Sequence, residues 1–202
     1  MILTDKDIKL LLNEIDIIEP FQDEYLQSES YDLHIGETYY TMKKNTGIID
    51  LDSQKDLDDM YCEKKFDDSG YILSPKEFIL VTLKEKITLT EKITAHIRPR
   101  TRLTRSGLEV LCQHCNSTYS GILRIGLYNL QDRPVKIYKN LGLCQIVFEE
   151  LKQVPSENKL YKNKTKEMAP YQNENEFIGS KKDPFFEKEV KEIIDYYLGE
   201  NN

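Results

Sequence analysis

The sequence predicts a mainly β domain, an all-β sandwich, jelly roll or barrel, with a helix at each end. Between Gly70 and Leu151, seven short runs of β-forming residues alternate with turn signals at roughly even spacing. No βαβ alternation and no internal repeat interrupts them. Helical periodicity is confined to the two ends of the chain.

The first helix opens at Thr4, with Asp7 three residues on as a capping-box partner, and Ile8, Leu11, Leu12 and Ile15 follow at helical spacing. Glu19-Pro20 ends it. Residues 31–41 alternate and are rich in β-formers, so a strand with a bend at Gly36 is expected. The stretch 43–69 is polar and acidic and reads as a loop or excursion with weak strands. Strands follow at Tyr71–Leu73, Phe78–Leu83, Thr94–Arg98, Leu108–Cys112, Ile122–Asn129, Val135–Tyr138 and Cys144–Leu151. Ser74-Pro75, Gly121, Arg133-Pro134 and Asn140-Leu-Gly142 punctuate them. Residues 156–184 are rich in Lys, Asn, Glu and Ser and read as an extended arm after a domain spanning 1–155. From 185 to 202, Phe185, Phe186, Val190, Ile193, Ile194, Tyr197 and Leu198 recur at three- and four-residue steps, the pattern of an amphipathic helix.

Composition narrows the function. With 202 residues, 39% hydrophobic and 31% charged, the chain fits one globular domain. Charges interrupt every apolar run before the ~20 residues of a membrane span. The start MILTDKDIKLLL carries acids where an export signal is basic, so a cytoplasmic protein is expected. Cys62, Cys112, Cys115 and Cys144 then read as reduced thiols rather than a disulfide framework. A net charge of −7 argues against nucleic acid as a partner. Yet residues 98–105 hold four arginines in eight positions, a local cluster suited to a small polyanion or, equally, to solvent or a subunit contact.

Five segments together resemble the dCTP deaminase/dUTPase superfamily. Residues 1–8, MILTDKDI, resemble the N-terminal helix of dCTP deaminases, and 27–36, QSESYDLHIG, resembles their PxSYDLRLG strand. Residues 100–108, RTRLTRSGL, resemble the phosphate-binding GRSSLARLGL. Residues 119–129, YSGILRIGLYN, resemble GFEGRITLELFN, and 141–148, LGLCQIVF, resembles GMRIAQLVF. The resemblance covers about residues 1–180 and implies a distorted jelly-roll barrel, a homotrimer, and pyrimidine deoxynucleotide sites between subunits. It implies that Arg100, Thr101 and Arg105, with Arg102 beside them, contact a triphosphate, for which guanidinium and hydroxyl groups are suited. It also assigns Gln145 to phosphate or sugar, Asp32 to the neighbourhood of the trimer interface and metal-bound phosphates, and Tyr171 and Gln172 to an arm that closes over nucleotide. Mg²⁺ would enter only through those phosphates.

The resemblance breaks where the chemistry lies. The deaminase glutamate, base and then acid in attack of water on cytosine C4, falls on Gly126. The dUTPase aspartate that orients water falls on Asn116. Arg102 replaces a serine, Glu174 brings a negative charge toward the phosphates, and about two residues are missing between Arg105 and Tyr119. His114 is the one candidate base nearby on pKa grounds, with Glu109 as another carboxylate. Cys112-Gln-His-Cys115 offers metal-ligand types, but an odd spacing on one strand would point the thiols apart, and the zinc deaminase signature is absent. The leading expectation is therefore a degenerate or regulatory nucleotide-binding protein. The alternatives are an active dCTP deaminase or dUTP diphosphatase using another base, and an interaction module displaying the C-terminal helix. Glycine at 126 also suggests room for a modified or larger base.

Overall fold

In the computed structural model, which describes residues 1–44, 47–186 and 193, a curled sheet of nine strands carries the fold. Helix α1 (Asp5–Leu12) has both halves of the Thr4/Asp7 capping box in place. It stops at Leu12, three residues short of Ile15. Strands β1 (Ile18–Glu19) and β2 (Tyr31–Met42) follow, then helix α2 (Gln54–Asp58), β3 (Tyr61–Lys65), β4 (Tyr71–Leu73), β5 (Phe78–Thr88) and β6 (Ile93–Pro99). A one-turn helix α3 (Thr101–Arg105) precedes β7 (Leu108–Val110), β8 (His114–Cys115), β9 (Ser120–Asn129), β10 (Val135–Ile137) and β11 (Gly142–Glu150).

The main sheet runs β7-β9-β5-β2-β11-β6-β8, with β1 on β5 and β3 on β2; β4 and β10 pair separately. Its two terminal strands, β7 and β8, are neighbours in sequence. Only Leu111, Cys112 and Gln113 separate them. The sheet therefore curls until its edges meet at a three-residue link, and peptide closes the barrel there instead of a ladder. Leu111 N–H donates to the Gly126 carbonyl on one side, and Ile97 N–H donates to the Gln113 carbonyl on the other. Alternation fills the interior: Leu33, Ile35, Ile79, Val81, Ile97, Ile125, Leu127, Ile146 and Phe148 are fully buried.

Two expectations are revised here. The 43–69 excursion contains a helix, α2, capped by Ser53, and a full strand, β3, in register with β2. Cys112 and Cys115 do not share a strand: Cys112 is exposed in the link, while Cys115 on β8 enters the core. Burial drives the Cys115 thiol pKa up to about 12, so it stays protonated. The expected C-terminal helix falls on residues 187–192 and 194–202, outside the described residues. Among the described residues, no helix is long and apolar enough to cross a membrane.

One polar pair lies inside the barrel wall. Glu85 accepts from the His34 backbone N–H at 2.9 Å and faces His34 Nδ1 at 2.9 Å, with the Tyr25 ring tilted against the imidazole at a centroid distance of 4.0 Å. Both side chains are almost fully enclosed.

Candidate functional site

The arginine segment takes its shape from β2, β11 and β6. Asp32, Gln145 and Arg98 are opposite one another across these strands, so they share a face. Asp32 is 4% exposed. It accepts from Gln145 Nε2 at 3.2 Å and Gln27 Nε2 at 3.3 Å, and pairs with the Arg100 guanidinium at 3.2 Å. The Arg100 guanidinium packs over Gly142, where a β-carbon would have to displace it. Leu103 anchors α3 in the core and turns Thr101, Arg102 and Arg105 outward, all exposed. Among the described residues neither Arg102 nor Arg105 has a salt-bridge partner. The outcome is an anchored guanidinium at Arg100 beside two open ones, a surface able to grip phosphate oxygens in charge-assisted bonds.

A separate cavity of about 480 Å³ opens beside the barrel seam. Tyr61, Tyr119, Tyr161, Tyr171 and Phe177 supply aromatic walls. His114, Asn116, Arg124 and Glu174 supply polar ones. Its size and mixed lining suit a small ligand with a flat ring. The arm, residues 156–184, forms one side. Gln172 ties it to the barrel, accepting from Ser120 N–H at 3.2 Å and donating to the Thr118 carbonyl at 3.0 Å. Gly121 bridges Glu174; a β-carbon there would meet Tyr119 Oη at 2.8 Å and Glu174 N at 3.1 Å, so only glycine lets the arm lie this close. Phe177 stacks on Tyr40 at 3.9 Å and meets Tyr61 edge-on at 5.5 Å.

Arg124, on β9, fastens the arm. Its guanidinium donates to the carbonyls of Ile122 at 2.6 Å, Glu174 at 3.2 Å and Asn175 at 3.0 Å, and lies 3.6 Å from the Glu174 carboxylate. Burial holds the Glu174 carboxyl above its usual range, with the Arg124 charge and the Ile178 N–H opposing. Its folded pKa therefore exceeds its unfolded one. Its contribution to docking is complete below the ordinary carboxyl range and is lost as pH rises through the folded value. Protease resistance of the arm is expected to increase as pH falls toward the ordinary carboxyl range, and Glu174→Gln should flatten that dependence. An equally steep profile in Glu174→Gln would assign the effect to another group.

The structure sorts the expected site residues into two sets. His114, Asn116 and Tyr171 line the cavity. Arg100, Thr101, Arg102, Arg105, Gln145 and Asp32 do not, and Gln172 lies behind the wall as a tether. Glu174 does not approach the arginine segment's Arg100 but closes the cavity against Arg124. Glu109 is exposed on β7, away from the cavity. Gly126 is buried; a β-carbon there would meet Leu111 Cδ1 at 2.6 Å and Phe78 Cε2 at 2.9 Å. The space expected beside glycine is occupied by these two side chains. Burial and the nearby His96 hold the His114 pKa below its usual value, while Asn116 and Glu149 pull it up. Sequence reasoning did not single out Arg124, Tyr61 or Phe177. An arginine inside an apolar strand was the one available signal for Arg124.

The fold and site define a class: a curled, mainly β barrel with an arginine segment on one face and a cavity walled by aromatic side chains and a C-terminal arm. The dCTP deaminase-like family matches residues 2–151, and the chain belongs to that family. It is 32% identical over 160 residues to the dUMP-forming dCTP deaminase of Persephonella marina, covering 78% of this chain and 88% of that one. It is 34% identical over 158 residues to the dUMP-forming dCTP deaminase of Hydrogenobaculum, covering 77% and 86%. Its fold is similar to the crystal structure of 2'-deoxycytidine 5'-triphosphate deaminase from Agrobacterium tumefaciens, with a TM-score of 0.59 and 19% identity. That similarity covers 73% of this chain and 46% of that one, so the chain spans less than half of the larger protein.

Proposed function

We propose that this protein binds a pyrimidine deoxynucleotide as a homotrimer and does not deaminate it, a degenerate or regulatory member of its family. One observation carries the reading: the position where the family's glutamate would stand is glycine, and Leu111 and Phe78 close over it. Asn116, an amide in the cavity wall, cannot take the proton an aspartate would. In a trimer, the arginine segment of one subunit would face the cavity of the next and hold the phosphates, with Mg²⁺ carried on those phosphates where they are bound. Cytoplasmic residence suits its four free cysteines.

The test is incubation of purified protein with dCTP and dUTP, with and without Mg²⁺. Thermal stabilisation by nucleotide without release of ammonia or diphosphate is the expected result. Release at a rate proportional to protein would overturn it. Arg100→Ala should weaken nucleotide binding by about tenfold or more, the loss of a charge-assisted pair. Gly126→Glu should restore no deamination and should lower stability by about 1–3 kcal/mol through overpacking against Leu111 and Phe78.

A second reading, an active deaminase or diphosphatase, draws on His114, which lines the cavity and stays neutral, as a base must. It requires turnover in the wild type that His114→Ala abolishes without a fall in melting temperature.

A further inference from the structure

The β6–β8 pair brings two histidines together, and their pairing plays no part in the nucleotide-binding reading. His96 and His114 are directly opposite, so both side chains leave one face of the sheet. Their Nδ1 atoms are 3.4 Å apart, with ring centroids at 4.8 Å. Each far nitrogen faces an oxygen. His96 Nε2 lies 3.9 Å from a Glu149 carboxylate oxygen, and His114 Nε2 lies 3.5 Å from Thr94 Oγ1. The Thr94 hydroxyl already donates its proton to the Cys115 carbonyl at 2.8 Å, so it turns a lone pair toward His114. The Asn116 side chain also hydrogen-bonds His114. With hydrogen on one Nδ1 the two rings share a long hydrogen bond, and with hydrogen on both Nε2 atoms the two Nδ1 lone pairs are free to bind one cation.

We propose that His96 and His114 chelate a borderline divalent transition metal, of the Zn²⁺, Ni²⁺ or Cu²⁺ type, through their Nδ1 atoms. Two nitrogens bound to zinc at 2.0–2.1 Å with a tetrahedral angle stand about 3.4 Å apart, which is the spacing the strands impose. Glu149 and Thr94 take the outer positions that orient ligating imidazoles. Imidazole pairs select this metal class over Mg²⁺ and Ca²⁺, which take oxygen ligands. Among the described residues, no group of three or more His, Cys, Asp or Glu is placed to hold a metal. The remaining positions therefore belong to water or to the oxygens of an added ligand. His114 also lines the cavity, so the metal would sit beside it. The proposal rests on the histidine geometry alone and stands or falls apart from the nucleotide reading.

The experiment is calorimetric titration of the full-length protein with Ni²⁺ and with Zn²⁺, nucleotide absent. One metal per chain is expected. His96→Asn and His114→Asn should each weaken binding more than tenfold, and the double variant should abolish it. Glu149→Gln should weaken it by about tenfold. Cys112→Ser, at the exposed thiol in the link, should leave it unchanged. Metal-free melting temperatures of the histidine variants, expected at the wild-type value, separate lost ligands from lost fold. Spectra of the Cu²⁺ form should show hyperfine splitting from two nitrogens. No binding by the wild type, binding that survives in the double variant, or loss in Cys112→Ser would overturn the proposal.

Discussion

Glu85→Ala will lower the free energy of unfolding by about 3–5 kcal/mol, the cost of breaking a buried polar pair. Glu85 is 1% exposed and satisfies both the backbone N–H and the Nδ1 of His34. Alanine leaves both without partners where no water reaches and adds a cavity beneath Tyr25. Glu85→Gln keeps an acceptor for the amide and should cost less than half as much. Equilibrium urea denaturation reads both. A loss below about 1 kcal/mol in Glu85→Ala would show that the barrel wall relaxes or hydrates around His34, and would remove the pair as a pillar of the fold.

Arg124→Ala comes second in size and differs in kind, because its effect is local. Three carbonyls and a carboxylate converge on this guanidinium, and two of those carbonyls belong to the arm. Alanine removes the cation beside the buried Glu174, which keeps the Ile178 N–H as a donor, and takes away the fork that bridges barrel and arm. Docking should weaken by about 3 kcal/mol, which is a rise of about 100-fold in the population of the opened arm. Limited proteolysis within 156–184 should accelerate accordingly, while the barrel's own unfolding transition shifts little. Arg124→Lys should fall between the two, since an ammonium delivers the charge but not the planar fork. Equal cleavage rates in wild type and Arg124→Ala would show that Gln172 and Phe177 hold the arm without it.

How much of this was legible beforehand follows from the range of the interactions. The capping box at Thr4 and Asp7 is local, and it is present. The run Tyr71–Leu73 was delimited by turn residues and matches its strand at both ends. The strand from Phe78 continues to Thr88 because β1 and β9 offer partners there, which no window of sequence displays. Helix α3 was hidden because its single turn depends on Leu103 reaching the core. The site shows the same division. A motif could announce Arg100 and Gln145, whereas the Arg124–Glu174 contact joins residues 50 apart. Likewise, the loss at Gly126 was readable as a missing carboxylate. That Leu111 fills the position could be seen only once the seam had formed.

The seam between β7 and β8 also bears on how such a chain can change length over evolution. Within a ladder, removing one residue sends every later side chain to the opposite face, so ladder lengths are conserved under penalty. Leu111, Cys112 and Gln113 belong to no ladder. The seam lies between Arg105 and Tyr119, the interval that joins the arginine segment to the cavity wall. A deletion there would shorten the link without shifting the facing of β6 or β9. The price falls on the cavity instead, whose wall begins at Gln113. In this architecture a stretch that belongs to no ladder borders the cavity, so the shape of the cavity can drift while the scaffold stands still.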